Sequence, residues 1–140
     1  MKSFETFSQL HHQDEPLLLG NIWDVNSAML FEQKGFKAIG TSSAALANTF
    51  GYEDGEKLPF ACLIGLAKRV VETANIPFTV DIEGGYSRTA SGIAENIEKV
   101  HDVGVVGVNL EDTIPGSTRE LQEGCISKNP FSSIGTYQET

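Results

Sequence analysis

The stretch Phe78-Thr79-Val80-Asp81-Ile82-Glu83-Gly84-Gly85-Tyr86 carries an apolar β-type run that passes within two steps into two carboxylates and a glycine pair. In an extended chain alternate side chains share a face, so Asp81 and Glu83 are expected to point the same way and Ile82 into the opposite layer. Two like charges on one face repel, and that cost is tolerated where a cation, a basic partner or solvent meets them. Gly84 and Gly85 let the backbone turn sharply just past the strand.

Outward from this stretch the same transition recurs. Leu17-Leu18-Leu19 opens a first strand that runs to Trp23-Asp24, Phe36 to Gly40 forms a second, and Val105 to Leu110 a fourth that runs straight into Glu111 and Asp112. Helical spacing separates them. Phe4, Phe7, Leu10 and His11 make one stripe on a short helix over Ser3 to His12, expected to pack against the domain. A helix from Ser27 to Lys34 is capped by Asn26 or Ser27 and closed by Gly35. Pro59 opens a longer one with Leu63, Leu66, Ala67, Val70, Val71 and Ala74 on one face. Ala90 to Val103 shows Ile93, Ile97 and Val100 on one side, with Glu95, Asn96, Glu98 and Lys99 elsewhere. The small, hydroxyl-rich residues from Thr41 onward, followed by Phe50 to Glu56, read as a long connection of the kind that is functional or disordered. This β-α-β-α-β-α-β order, with near-continuous apolar strands, predicts an α/β chain with a parallel sheet. Parallel strands all end at one edge, which collects Asp24, the Thr41 to Asp54 loop, Asp81, Glu83, Glu111 and Asp112 where such folds place their sites. Hard oxygen donors suit magnesium or manganese rather than zinc.

Composition narrows the functions. The chain has 140 residues, 40% hydrophobic and 21% charged, enough for one domain with a real core. A net charge of -9 argues against nucleic-acid binding, which needs a basic footprint, and suits cation binding. Cys62 and Cys125 lie far apart, without paired spacing, so neither a zinc site nor a disulfide framework is indicated. His11 and His12 are adjacent and cannot share a metal as an i, i+4 pair could. With no signal-peptide layout and no apolar run near the ~20 residues of a membrane span, the expectation is a cytoplasmic protein without a membrane partner.

Five motifs in order, Gly20-Asn21-Ile22-Trp23-Asp24, Gly40-Thr41-Ser42-Ser43-Ala44, Gly51-Tyr52-Glu53-Asp54-Gly55, Val80 to Tyr86 and Gly107-Val108-Asn109-Leu110-Glu111-Asp112, together resemble the isocitrate lyase and phosphoenolpyruvate mutase superfamily, nearest its mutase-like branch. The resemblance implies a (β/α)8 TIM barrel with Mg2+, or Mn2+ in its place, at the carboxyl-end face. It implies that Asp81 binds the metal directly and that Glu83 and Glu111, the other members of the metal set, hold its waters together with Asp54. Thr41, Ser42, Ser43 and Asp54 then serve catalysis, and Trp23, Asp24, Ala44, Gly84, Gly85 and Tyr86 line the substrate site. The implied chemistry makes or breaks a C–C or P–C bond in a 2-oxo, 2-hydroxy or phosphono acid through an enolate of the pyruvate type, which a chelated magnesium ion stabilises. Where the lyases carry a Lys-Lys-Cys-Gly-His loop, this chain has Ile114-Pro115-Gly116-Ser117, and Cys125 lacks the flanking lysines and histidine, so it is read as a core or helix cysteine.

A full barrel needs ~250 residues. About four βα units are counted here, so the expected fold is the amino-terminal half of a barrel over residues 1–126, followed by an irregular tail over 127–140. The absent half would supply further groups that grip the substrate. An enzyme half-site is therefore one reading, and an inactive half-barrel that buries its open edges as a homo-oligomer is the alternative. A flavodoxin-like binding domain fits less well, because Trp23-Asp24-Val25-Asn26 stands where a glycine-rich phosphate turn belongs.

Overall fold

Leu19 to Ile22 pairs in parallel with Ala38 to Thr41 residue by residue, and this register sets the frame of the molecule. The computed structural model describes residues 3–112. Its elements run α1 (Phe4–His11), β1 (Leu19–Ile22), α2 (Val25–Gln33), β2 (Ala38–Thr41), α3 (Ser43–Thr49), α4 (Phe60–Thr73), β3 (Phe78–Asp81), α5 (Ala90–Asp102) and β4 (Gly107–Asn109). The four strands lie side by side in the order β1-β2-β3-β4, every neighbouring pair parallel. This parallel sheet-and-helix alternation is the one expected of the amino-terminal half of a (β/α)8 barrel.

One face of the sheet is covered by helices. Ile22, Ile39, Leu63, Val70, Phe78, Val80, Ile82 and Val100 are buried together there. Gly20 marks how closely α2 approaches, since a Cβ on it would fall 2.5 Å from the Phe31 ring. On the other face Thr79 sits between Gly40 and Gly107, whose added Cβ atoms would lie 2.6 and 3.0 Å from it, and Phe7 of α1 reaches over Gly107. The stripe on α1 thus does meet the domain, although no residue of that helix is fully buried.

Three local expectations are corrected. The helix after β1 starts at Val25 and not at Ser27, because Asp24 is its cap: Asp24 Oδ1 accepts from the Ser27 amide at 2.7 Å, and the Ser27 hydroxyl closes a capping box by accepting from the Asp24 amide. The segment after Thr41 is not one long connection, since Ser43–Thr49 is helical with Ser42 as its cap and with Leu46 and Ala47 buried. Alanine is the best helix former, so Ala44, Ala45 and Ala47 favour a helix without a strong apolar stripe. Asn96, assigned to the polar side of its helix, is buried at 9% exposure and donates to the carbonyls of Gly85 and Tyr86. Other expectations hold: Gly35 and Gly104 take the left-handed conformation, and Pro59 stands immediately before α4. Cys125, Ile114 to Ser117 and residues 127–140 lie outside the described residues.

Candidate active site at the carboxyl-end rim

β3 ends at Asp81, and the chain there folds back on itself. The Glu83 amide donates to Asp81 Oδ1 at 2.9 Å, so the aspartate caps its own turn two residues on. Glu83 consequently sits in the left-handed region at φ 50°. Alternation along a strand is therefore not what relates the two acids, because the strand has stopped before Glu83, and their proximity comes from this turn. Gly85, at φ 91°, continues it, and a Cβ there would lie 2.8 Å from Ile93 of α5. Asn96 of α5 holds the same turn through the Gly85 and Tyr86 carbonyls at 3.0 and 3.3 Å.

Asp81 is fixed from β2 as well. Thr41 Oγ1 accepts from the Asp81 amide at 2.8 Å, bridging the two strand ends. The Ser43 hydroxyl hydrogen-bonds to the Asp81 carboxylate. Of the predicted hydroxyl residues, Thr41 and Ser43 thus orient the aspartate, while Ser42 caps α3. Burial is the main influence pushing the Asp81 carboxyl above its ordinary value; hydrogen bonds from Glu83 and Ser43 oppose it, and the charges of Glu111 and Asp54 add to it. Glu83, 7% exposed, is pushed up by burial first; the hydrogen bond from the Glu56 amide opposes it, and the charges of Asp54, Asp81 and Glu56 add to it. The Tyr86 phenol is raised strongly by burial and by Glu83, Glu56, Asp81 and Asp54, so it keeps its proton. Tyr86 also stacks obliquely on Phe60, with ring centroids 5.1 Å apart. β4 closes the rim, its Asn109 carbonyl accepting from Ile82 and the Glu111 amide donating to the Glu83 carbonyl at 2.6 Å.

The structure thus brings Asp54, Asp81, Glu83 and Glu111 into one electrostatic neighbourhood, with Thr41, Ser43, Gly85 and Tyr86 around them. Trp23 and Asp24 make their contacts with α2, and they line a cleft of about 350 Å³ with Asn26, Ser27, Leu30 and Phe31. Among the described residues no group of three or more His, Cys, Asp or Glu side chains is arranged to hold a metal ion by itself. The rings of His11 and His12 are each bonded to a carbonyl of their own helix. Two residues escaped the sequence analysis as members of the rim, Glu56 and Arg88, which form an ion pair at 3.1 Å. An acid following Gly55 in the same loop as Asp54 was the available signal.

Comparison with known proteins gives this rim its context. A protein of Mycobacterium tuberculosis with no characterised function is 36% identical over 108 residues, 77% of this chain and 40% of that protein. A 2-methylisocitrate lyase of Shewanella oneidensis is 29% identical over 109 residues, 77% of this chain and 37% of the lyase. Among solved structures, one from Burkholderia cenocepacia assigned as a phosphonomutase superposes with TM-score 0.79 at 36% identity, covering 82% of this chain and 47% of that one. A phosphonopyruvate hydrolase solved with oxalate and Mg2+ shares the fold, with TM-score 0.78 at 19% identity over 84% of this chain and 41% of its own. The chain therefore spans less than half the length of these relatives. Residues 7–132 match the phosphoenolpyruvate phosphomutase family, and with the shared barrel architecture this places the chain in that family.

Proposed function

We propose that the rim holds a Mg2+ ion, or Mn2+ in its place, and that this chain carries the metal half of an enzyme site acting on a small 2-oxo, 2-hydroxy or phosphono acid. The observation that carries the reading is Asp81, a carboxylate anchored at a strand end and burdened by the charges of Asp54 and Glu111. A divalent cation would relieve that repulsion. The donor set is all oxygen, which fits magnesium, and magnesium commonly takes one or two carboxylates and keeps several waters. Asp81 would hold it directly, with Glu83, Glu111 and Asp54 acting through water. When bound, the ion would act as a Lewis acid for the enolate that forms as the substrate bond breaks. The oxalate and Mg2+ in the related hydrolase support a small dianionic acid as the ligand class.

The chain's own residues do the positioning. Thr41 and the Glu83 amide fix Asp81 at its backbone and at one carboxylate oxygen. Tyr86 retains its O–H beside the acids and is a hydrogen-bond donor for a substrate oxygen. Calorimetric titration with MgCl2 and MnCl2 tests the reading: Asp81→Ala should abolish binding seen in the wild type, and equal binding by both would refute it.

A second reading is favoured by the apolar flank of β1 and α2, where Leu18 is 70% exposed, Leu30 53% and Trp23 42%. With β1 at the edge of the sheet among the described residues, we infer that the chain self-associates through this side. Light scattering on the purified protein distinguishes an oligomer from a monomer.

A further inference from the structure

Among the described residues, three that are not glycine take the left-handed conformation: Glu56 at φ 59°, Glu83 at φ 50° and Tyr86 at φ 54°. All three belong to one hydrogen-bonded ring. The Glu56 amide donates to Glu83 Oε2 at 2.8 Å, and the Tyr86 amide donates to Glu56 Oε1 at 2.8 Å. The chain from 83 to 86 closes the circuit. Glu56 Oε2 takes a further bond from Arg88 at 3.1 Å, and the Glu56 side chain is 7% exposed while the arginine is 59% exposed. Left-handed backbone is unfavourable for residues with a Cβ and persists where surroundings over-determine it. Here each strained residue is held by its own amide, since the Glu83 amide is taken by Asp81 Oδ1.

The ring joins two segments far apart in sequence, the α3–α4 loop carrying Asp54 and the β3–α5 turn carrying Glu83. We propose that Glu56 is the positioning residue of the rim: it latches the Asp54 loop onto the Glu83 turn, setting the spacing of the acids before any cation arrives. Arg88 offsets the charge that this places among carboxylates. The proposal rests on the metal-site reading above for its purpose, but the latch itself is a property of the metal-free chain. Glu56 touches neither metal nor substrate in this role.

The test uses the full 140-residue protein as wild type, Glu56→Asn and Glu56→Gln. Asparagine tolerates left-handed backbone but is one methylene short of the Tyr86 amide, whereas glutamine keeps the reach and one acceptor oxygen. Hydrogen exchange in EDTA should show amides of residues 52–58 and 84–88 exchanging about tenfold faster or more in Glu56→Asn, with α4 and α5 unchanged and Glu56→Gln close to wild type. Mn2+ binding followed by electron paramagnetic resonance should weaken by about tenfold in Glu56→Asn and recover in Glu56→Gln. Unchanged exchange in Glu56→Asn overturns the latch. Faster exchange with undiminished Mn2+ affinity overturns its positioning role. Should the wild type bind no Mn2+, the metal-site reading falls, and the exchange result alone decides whether Glu56 holds the loop.

Discussion

Asn96→Ala isolates the support beneath the acidic turn. The side chain is 9% exposed and donates to two carbonyls, Gly85 at 3.0 Å and Tyr86 at 3.3 Å. Truncation leaves the Gly85 oxygen, on a buried residue, without that donor, and a buried acceptor left unmade costs ~1–3 kcal/mol. The longer Tyr86 bond is only part-buried and adds about 0.5–1 kcal/mol. Lys99, which donates to Asn96 Oδ1 at 3.3 Å, turns to solvent at little cost. The expected loss is therefore roughly 1.5–4 kcal/mol, read as a fall in the urea midpoint followed by far-ultraviolet circular dichroism with the slope unchanged. For a domain of this size the melting temperature should drop by roughly 5–15 °C. Asn96→Asp should cost at least as much at neutral pH, because a carboxylate faces two carbonyl oxygens with no proton to donate, and should recover in acid. A loss below ~0.5 kcal/mol in Asn96→Ala, or an equal loss in Lys99→Ala, would refute the assignment of this bond as the turn's support.

Three further outcomes follow from the same geometry. In EDTA the raised Asp81 and Glu83 carboxyls bind protons in the fold more readily than in the unfolded chain, so their contribution to stability is fully present below their unfolded-chain values and is lost as pH rises from there through their folded-state values; Asp81→Asn should flatten that fall in a urea series across pH, and an unaltered slope would count against it. Gly85→Ala places a methyl 2.8 Å from Ile93 at φ 91° and should destabilise by ~1–3 kcal/mol, whereas Gly55→Ala, at φ 91° with nothing within 4 Å, should cost only its backbone strain; equal losses in denaturant would contradict the steric account. Leu30→Glu on the exposed α2 flank should shift light-scattering mass toward the monomer, and an unchanged mass would remove that flank from the association surface.

The run from Phe78 into Asp81 was readable in the sequence because strand propensity and charge change abruptly there, and the parallel order followed from apolar strands separated by amphipathic helices. Asp81 at a strand end, Gly35 and Gly104 as helix stops, and the covering of the domain by Phe7 all rest on short-range patterns that a linear chain displays. The capping of α2 by Asp24 is local as well, since its carboxylate meets the amide of Ser27 only three residues on. Helix α3 escaped because its evidence is alanine propensity and not periodicity. What tertiary structure alone decided is the linkage of the rim. Glu56 meets Tyr86 and Arg88 across 30 and 32 residues, Thr41 meets Asp81 across 40, and Asn96 turns inward only because two carbonyls of the β3–α5 turn arrive above it. A carboxylate or amide carries no mark of its partner in the sequence; hydrogen bonds are directional and short-ranged, so their pairing is set only when packing of the sheet against its helices has fixed where each backbone group lies.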